Sequence, residues 1–394
     1  MKSVDLWIPS AAPFFLFGVL YYLVSPAIAL GLLAENRVIS AASEYIGEGY
    51  FEWAYFIDVL IIALSFFSGY FLSKRGRKGR AESVVDFSAS FKLGPILLFF
   101  LLSMLLMFFV YRAMTAGTVF FSGYENYDIL VLGPFATLIF LSALFHNYFS
   151  GRIAKISFFL VFLASSFFML SLGSRMFFVL GSMTIALGWL SRNKGALKNP
   201  LLYLGCGAFL CLVVSVGVWR SGDNVSLEAL LTVFFAEPVL TAASGAVYIN
   251  NVGGRPILGA PLDVLASLVN FIPSFIYPDK LLVIERLIYD ENKFSPFGAS
   301  SIIVNVYSNF GMLYPLYFLC VGGLVGGLNR RAHFSVFYRS IYFSVLPLLM
   351  FHFFRENFIT VLKVSLFNGF ILPFFTVIFL YLFFGTPRNE ALTK

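Results

Sequence analysis

Residues Leu366–Phe384 read LFNGFILPFFTVIFLYLFF, nineteen consecutive positions without a charge. A helix of that length spans about 28 Å, close to the ~30 Å hydrocarbon core of a bilayer. A membrane β-barrel strand would instead alternate apolar and polar residues over about ten positions, and this run does not alternate. Phe14–Leu30, FFLFGVLYYLVSPAIAL, has the same character. In lipid every backbone polar group must be paired within the protein, which a helix does locally. Across 394 residues, 59% are hydrophobic and 12% charged, about half the charged share of a soluble domain. These features predict an all-α polytopic membrane protein, a single integral membrane domain over residues 1–394.

Runs of sufficient length fall at 11–33, 53–72, 94–113, 128–149, 156–173, 175–190, 200–219, 301–328, 341–355 and 360–384, about ten crossings in all. The first carries AIA at Ala27–Ala29, which resembles a signal-peptidase site, but Lys2 alone makes a weak basic region before it, and a retained helix is expected. With both termini on one side, the loops on that side hold 17 of the 27 basic residues, SKRGRKGR at Ser73–Arg80 among them, against four acids. The positive-inside rule makes that side cytoplasmic. The net charge of +7 is therefore a topological signal and no nucleic-acid footprint.

A long excursion, residues 220–300, follows the seventh crossing on the opposite, outer side. Its stretch 226–249 could form another crossing, but Glu228, Glu237 and Pro238 interrupt it. The expectation is a helix from Ser226, with Glu228 favourable in its first turn, broken at Pro238. A further helix starts at Pro261. Leu262, Leu265, Leu268, Val269 and Ile272 make its apolar face and Asp263, Ser267 and Asn270 the opposite one, which describes an interfacial amphipathic helix.

Several arginines gather on that same side. Arg175 sits at the tip between two short crossings, in SLGSRMFFVL (Ser171–Leu180). Arg220 and Arg355 end crossings, and Arg255 and Arg286 lie in the excursion. A guanidinium is a permanent charge with a planar fork that grips phosphate through two parallel bonds, so two or three around one cavity suit a lipid pyrophosphate. An isolated interfacial arginine more ordinarily snorkels or pairs with an acid, the plainer reading for Arg255 and Arg286. Glu237, expected in apolar surroundings that favour proton abstraction, is the candidate base, and His352 a second. Either could instead be structural, Glu237 as a helix cap and His352 as a hydrogen-bonded core residue. Asp58, inside the second crossing, is expected to be paired or to line water. Cys206, Cys211 and Cys320 have no metal-ligand spacing and read as buried small hydrophobes. The three histidines are far apart, so neither a metal site nor a cofactor is expected.

An ordered set of motifs now stands out: GSR (173–175), WRSG (219–222), FFAEP (234–238), RPILGAPLDVLASLVNFIPSFIYPDK (255–280), SPFGASSIIVNVYSNFGMLYPLYF (295–318) and FFRENF (353–358). In this order they resemble the bacterial O-antigen (oligosaccharide repeat unit) polymerases of the Wzy type, over the C-terminal 220 residues or so. One departure is visible: the family often carries an acid two or three positions before the tyrosine of YSNFG, where this chain has only Asn305 as a polar group. The resemblance implies a metal-independent C-type membrane glycosyltransferase of the inner membrane. Such an enzyme transfers a glycan from undecaprenyl pyrophosphate to a repeat unit on another undecaprenyl pyrophosphate. It implies Arg175, Arg220 and Arg355 as pyrophosphate ligands, Tyr307 and Asn309 lining the site, and Gly311 permitting close approach. Implied partners are undecaprenyl-pyrophosphate-linked glycans, membrane lipid and a chain-length regulator protein. An O-antigen ligase, or a transporter or flippase of lipid-linked glycans, are the rival expectations.

Overall fold

A computed structural model of the chain describes residues 7–33, 35–47, 49–75, 93–120, 129–172, 174–221, 226–272, 276–287 and 298–384. Among them every regular element is helical. In chain order the helices are Ala12–Leu32 (α1), Arg37–Ile46 (α2), Trp53–Arg75 (α3), Gly94–Thr115 (α4), Ile129–Tyr148 (α5), Arg152–Ser171 (α6), Met176–Arg192 (α7), Pro200–Ser221 (α8), Leu227–Val252 (α9), Leu262–Phe271 (α10), Lys280–Leu287 (α11), Ile302–Phe310 (α12), Tyr314–Ala332 (α13), Val336–Met350 (α14) and Phe358–Phe383 (α15). Eight stretches are long and apolar enough to cross a membrane: α1, α3, α4, α6, α8, α9, the α12–α13 pair and α15. The chain is an all-α polytopic membrane protein.

Seven of these stretches coincide with expected crossings. The other three expected crossings are α5, with 20 residues, and the shorter α7 and α14, with 17 and 15. The eighth stretch, α9, is a correction. The sequence suggests a break at Pro238, yet one helix runs from Leu227 to Val252 through that proline. A proline cannot donate to the carbonyl four residues back, here Phe234, and that orphan is why interior prolines break helices. The Tyr21 hydroxyl donates to Phe234 O at 2.6 Å and fills the missing bond. The helix starts after Ser226 as expected, and the Ser226 side chain accepts from Ala229 N.

Contacts order the ends of the bundle. At one end, the Tyr342 hydroxyl and Asn329 Nδ2 donate to Pro9 O, Trp7 N to Ser191 O, Arg192 to Asn147 O and Arg339 to Ala332 O. The ends of α1, α5, α7, α13 and α14 therefore meet there, together with Arg152, Arg330 and Arg331. Helix α9 reaches only the opposite end. Its first half meets Arg175, at the α6–α7 tip, through Glu237. Three residues past its last turn, Arg255 pairs with Asp58 near the start of α3. So α9 lies across that end of the bundle, seated on α1 and α2 through an alanine-rich apolar seam that includes Ala29, Ile39, Ala42, Ala242, Ala243 and Ala246. The three cysteines are a second correction: all are exposed, on α8 and α13, where lipid rather than protein would cover them.

Helices α3 and α13 meet backbone to backbone. A Cβ at Gly69 would strike Leu319 O, one at Gly322 would strike Phe66 O, and one at Gly326 would strike Tyr70 O. Small residues four apart let transmembrane helices approach this closely and gain dispersion contacts. Gly322→Leu should therefore cost about 3 kcal/mol by overpacking, read as a lower thermal midpoint of the detergent-solubilised protein. Leu324 on the same helix is 76% exposed, and its replacement by alanine should leave the midpoint in place. Equal midpoints for the two variants would mean that the seam is not tight.

Candidate functional site

The polar end of the bundle holds two clusters. The first centres on Glu237, the residue before Pro238. Arg355 Nε approaches Glu237 Oε1 at 2.9 Å, and Arg175 Nη2 approaches Oε2 at 3.8 Å. The Tyr22 hydroxyl donates to Oε1 at 3.4 Å. Arg355 also reaches Glu356 Oε1 at 3.7 Å and Met176 Sδ at 3.9 Å. Four chain segments thus meet: α1, the α6–α7 tip, α9 and the turn after α14. The side chains of Arg175, Glu237, Arg355 and Glu356 are 24, 23, 32 and 29% exposed, so the group is set into the protein yet reachable from outside.

Local structure explains each placement. Arg175 directly precedes the first residue of α7. Its guanidinium lies over Gly217 of α8, where any Cβ would collide with Nη1, and donates to Val213 O at 3.2 Å. Glycine at 217 makes room for the charge. Tyr21 and Tyr22 sit in a π-helical stretch of α1, Leu20–Val24. The widened turn frees carbonyls for side chains: Ser25 Oγ donates to Tyr21 O and the Tyr55 hydroxyl to Leu23 O. Single π-turns inside α-helices recur at functional sites. Arg355 is held because α14 unwinds at Phe351, whose φ and ψ of −125° and −66° leave the helical region. The next turn, His352–Arg355, is anchored by Ser300 N to Arg355 O and by Asn305 Nδ2 to Glu356 O. Burial pushes the Glu356 carboxyl above the ordinary carboxylate range, offset only in part by Arg355, and the nearby Glu237 charge adds to the rise.

The second cluster is an ion pair beneath the other end of α9. Arg255 Nε lies 2.8 Å from Asp58 Oδ2, and the Tyr314 hydroxyl donates to Asp58 Oδ1 at 3.0 Å. Tyr307, 1% exposed, packs its ring edge-on against Tyr314 with centroids 5.2 Å apart.

Of the residues singled out from the sequence, Arg175, Arg355 and Glu237 come together. Glu237 is not in the apolar surroundings expected, because two guanidiniums and a phenol face it. Arg255 stands apart, bound to Asp58, which gives Asp58 the partner its position required. His352 is 1% exposed; its ring faces Phe177 at 5.9 Å, and neither nitrogen has a hydrogen-bond partner among the described residues. It is one turn from Arg355 but joins none of these ion pairs. Asn309 acts on α10: its Oδ1 accepts from Asp263 N at 3.1 Å and its Nδ2 donates to Asp263 Oδ2 at 2.7 Å. The side chains of Arg220 and Glu228 lie outside the described residues.

Helix α10 has the two faces read from the sequence, but the polar one turns inward. Asp263 and Ser267 are buried, while Leu262, Leu265 and Leu268 are 36, 49 and 55% exposed. Leucines facing outward suit lipid, and the inward polar face docks on Asn309. The segment before it crosses the turn between α12 and α13, where Gly259 and Gly311 touch backbone to backbone; Gly311 has φ +55°. Tyr21, Tyr22 and Gly217 were not singled out from the sequence. A tyrosine pair in an apolar span and a glycine one turn before Arg220 were the only hints. Comparison of the chain with protein-family models, curated proteins and solved structures returns no match.

Proposed function

We propose that the protein is a glycosyltransferase that polymerises lipid-linked oligosaccharide repeat units at the periplasmic face of the bacterial inner membrane. It would transfer the growing glycan from undecaprenyl pyrophosphate to a repeat unit carried by a second undecaprenyl pyrophosphate. The observation that carries this reading is the convergence of Arg175 and Arg355 on a single carboxylate, at the end of the bundle opposite the basic loops. Two guanidiniums aimed at one anionic group, reachable from outside, are suited to a diphosphate. They would stabilise the charge that grows on a departing pyrophosphate. The inward polar face and outward leucines of α10 support lateral entry of a lipid-borne substrate. The motif order described above supplies the choice of glycan polymerisation among reactions with a pyrophosphate leaving group.

The test uses purified protein and lipid-linked repeat units in detergent. Lipid-linked polymers should form without any lipid A acceptor, and Arg175→Ala should slow their formation at least about tenfold through loss of one charge-assisted contact to phosphate. Product that appears only when lipid A core is supplied would make the protein a ligase. Transfer of labelled headgroup across vesicles with no new glycosidic bond would make it a transporter.

A further inference from the structure

The arginine pair is already occupied, and by a residue the reaction needs elsewhere. Each Glu237 oxygen faces a different arginine, Oε1 with Arg355 Nε at 2.9 Å and Oε2 with Arg175 Nη2 at 3.8 Å. This bridging pattern is also the one a phosphate would take between the same two groups. Among the described contacts the pair's charge is balanced by Glu237, with Glu356 second to Arg355. A diphosphate entering the site would bring more negative charge than one carboxylate, and the two cannot share the guanidiniums without a net excess of anion. Tyr22 is not part of that competition. It is 1% exposed, its hydroxyl donates to Glu237 Oε1 at 3.4 Å, and it can keep hold of the carboxylate after the arginines let go.

Resting on the reading above, we infer that Glu237 is the resting counter-ion of Arg175 and Arg355 and is exchanged for the substrate's pyrophosphate, so that donor binding is what releases the base. In the empty site each carboxylate oxygen is engaged by a guanidinium, Oε1 by Arg355 and Oε2 by Arg175, and neither is turned to an acceptor sugar. In the loaded site the carboxylate stands beside the pyrophosphate, held by Tyr22. The acceptor's hydroxyl oxygen then bonds to the anomeric carbon of the growing glycan, and its proton passes to Glu237. The anomeric carbon–oxygen bond to pyrophosphate breaks, and its electron pair leaves with undecaprenyl pyrophosphate, balanced by Arg175 and Arg355. When the product departs, Glu237 gives its proton to water and pairs with the arginines again. Coupling the two events protects the donor, because no base is available until the leaving group is held.

The exchange makes a prediction that an ordinary base does not. Glu237→Gln removes the competitor for the arginines, so the full-length protein in detergent should bind inorganic pyrophosphate and undecaprenyl pyrophosphate about tenfold more tightly, the factor expected if the closed pair holds roughly nine-tenths of the empty protein. Its turnover should fall at the same time. Glu237→Asp, which keeps the charge on a shorter arm, should bind with intermediate affinity, and it supplies the measurement should the glutamine variant fold poorly. Pyrophosphate affinity that is unchanged or weaker in both variants would overturn the exchange. If wild type, Arg175→Ala and Arg355→Ala all bind pyrophosphate equally, the pyrophosphate site itself is wrong, and with it the proposed function.

Discussion

Arg355→Ala protein is expected to accumulate and fold like wild type and to lose polymer formation by at least about 100-fold, the range seen when one preorganised donor to a developing oxyanion is deleted. Stability should hold because Glu237, 23% exposed, keeps Arg175 as its partner. Activity should not hold, because Arg355 makes the shorter of the two contacts to the Glu237 carboxylate. Arg355→Lys separates charge from geometry: a lysine restores a cation but not the fork, so its rate should lie between the two. The measurement is the initial rate of lipid-linked polymer formation at matched protein. A rate for Arg355→Ala within threefold of wild type would remove this residue from the proposed site.

The second large effect falls on folding. Asp58 is 11% exposed and holds Arg255 at 2.8 Å and the Tyr314 hydroxyl at 3.0 Å. Asp58→Ala leaves the Arg255 guanidinium, on a side chain 28% exposed, without this carboxylate and the buried Tyr314 hydroxyl without its acceptor. Leaving a buried hydroxyl unsatisfied and a half-buried charge unpaired costs about 1–3 kcal/mol, and a marginally stable protein has little to spare. The expected result is little monodisperse protein after detergent extraction. The double variant Asp58→Ala/Arg255→Ala should recover part of the loss, since no charge is then left unpaired, and the size of the recovery measures the coupling. If the single and double variants extract equally, the pair contributes nothing to the fold.

The spans were legible in the sequence because burial in lipid is a local property of a twenty-residue window. The start of α9 at Ser226 was legible for the same reason. Pro238 was misread because its rescue is not local: the hydroxyl that satisfies the freed Phe234 carbonyl belongs to Tyr21, 213 positions before Phe234. The polar faces followed the same rule. The amphipathic pattern of α10 could be read from its spacing, but not which face turns inward, since that depends on Asn309, 46 residues away. The clusters themselves divide in this way as well. That Arg175 and Arg355 occupy the same end of the bundle follows from counting crossings. That they share Glu237, whereas Arg255 goes to Asp58, depends on how α9 lies across the bundle, and no short window of residues encodes that.

The crossing of Gly259 over Gly311 has a consequence of its own. The backbone there is pinned at two points, Met312 N to Ile257 O at 3.1 Å and Ala260 N to Ser308 O at 2.9 Å, with the Arg255–Asp58 pair on one side and the Asp263–Asn309 pair on the other. The eight-residue step from Arg255 to Asp263 is therefore a ruler. It sets how far the helix that faces the lipid stands from the helix that covers the arginines. Gly259 is fixed, because a Cβ there would strike the Asn309–Gly311 backbone; the exposed side chains of Ile257, Leu258 and Ala260 can be exchanged at modest cost, but adding or deleting one residue would force one of the two clasps to open. At those positions chain length is a stricter requirement than chemistry.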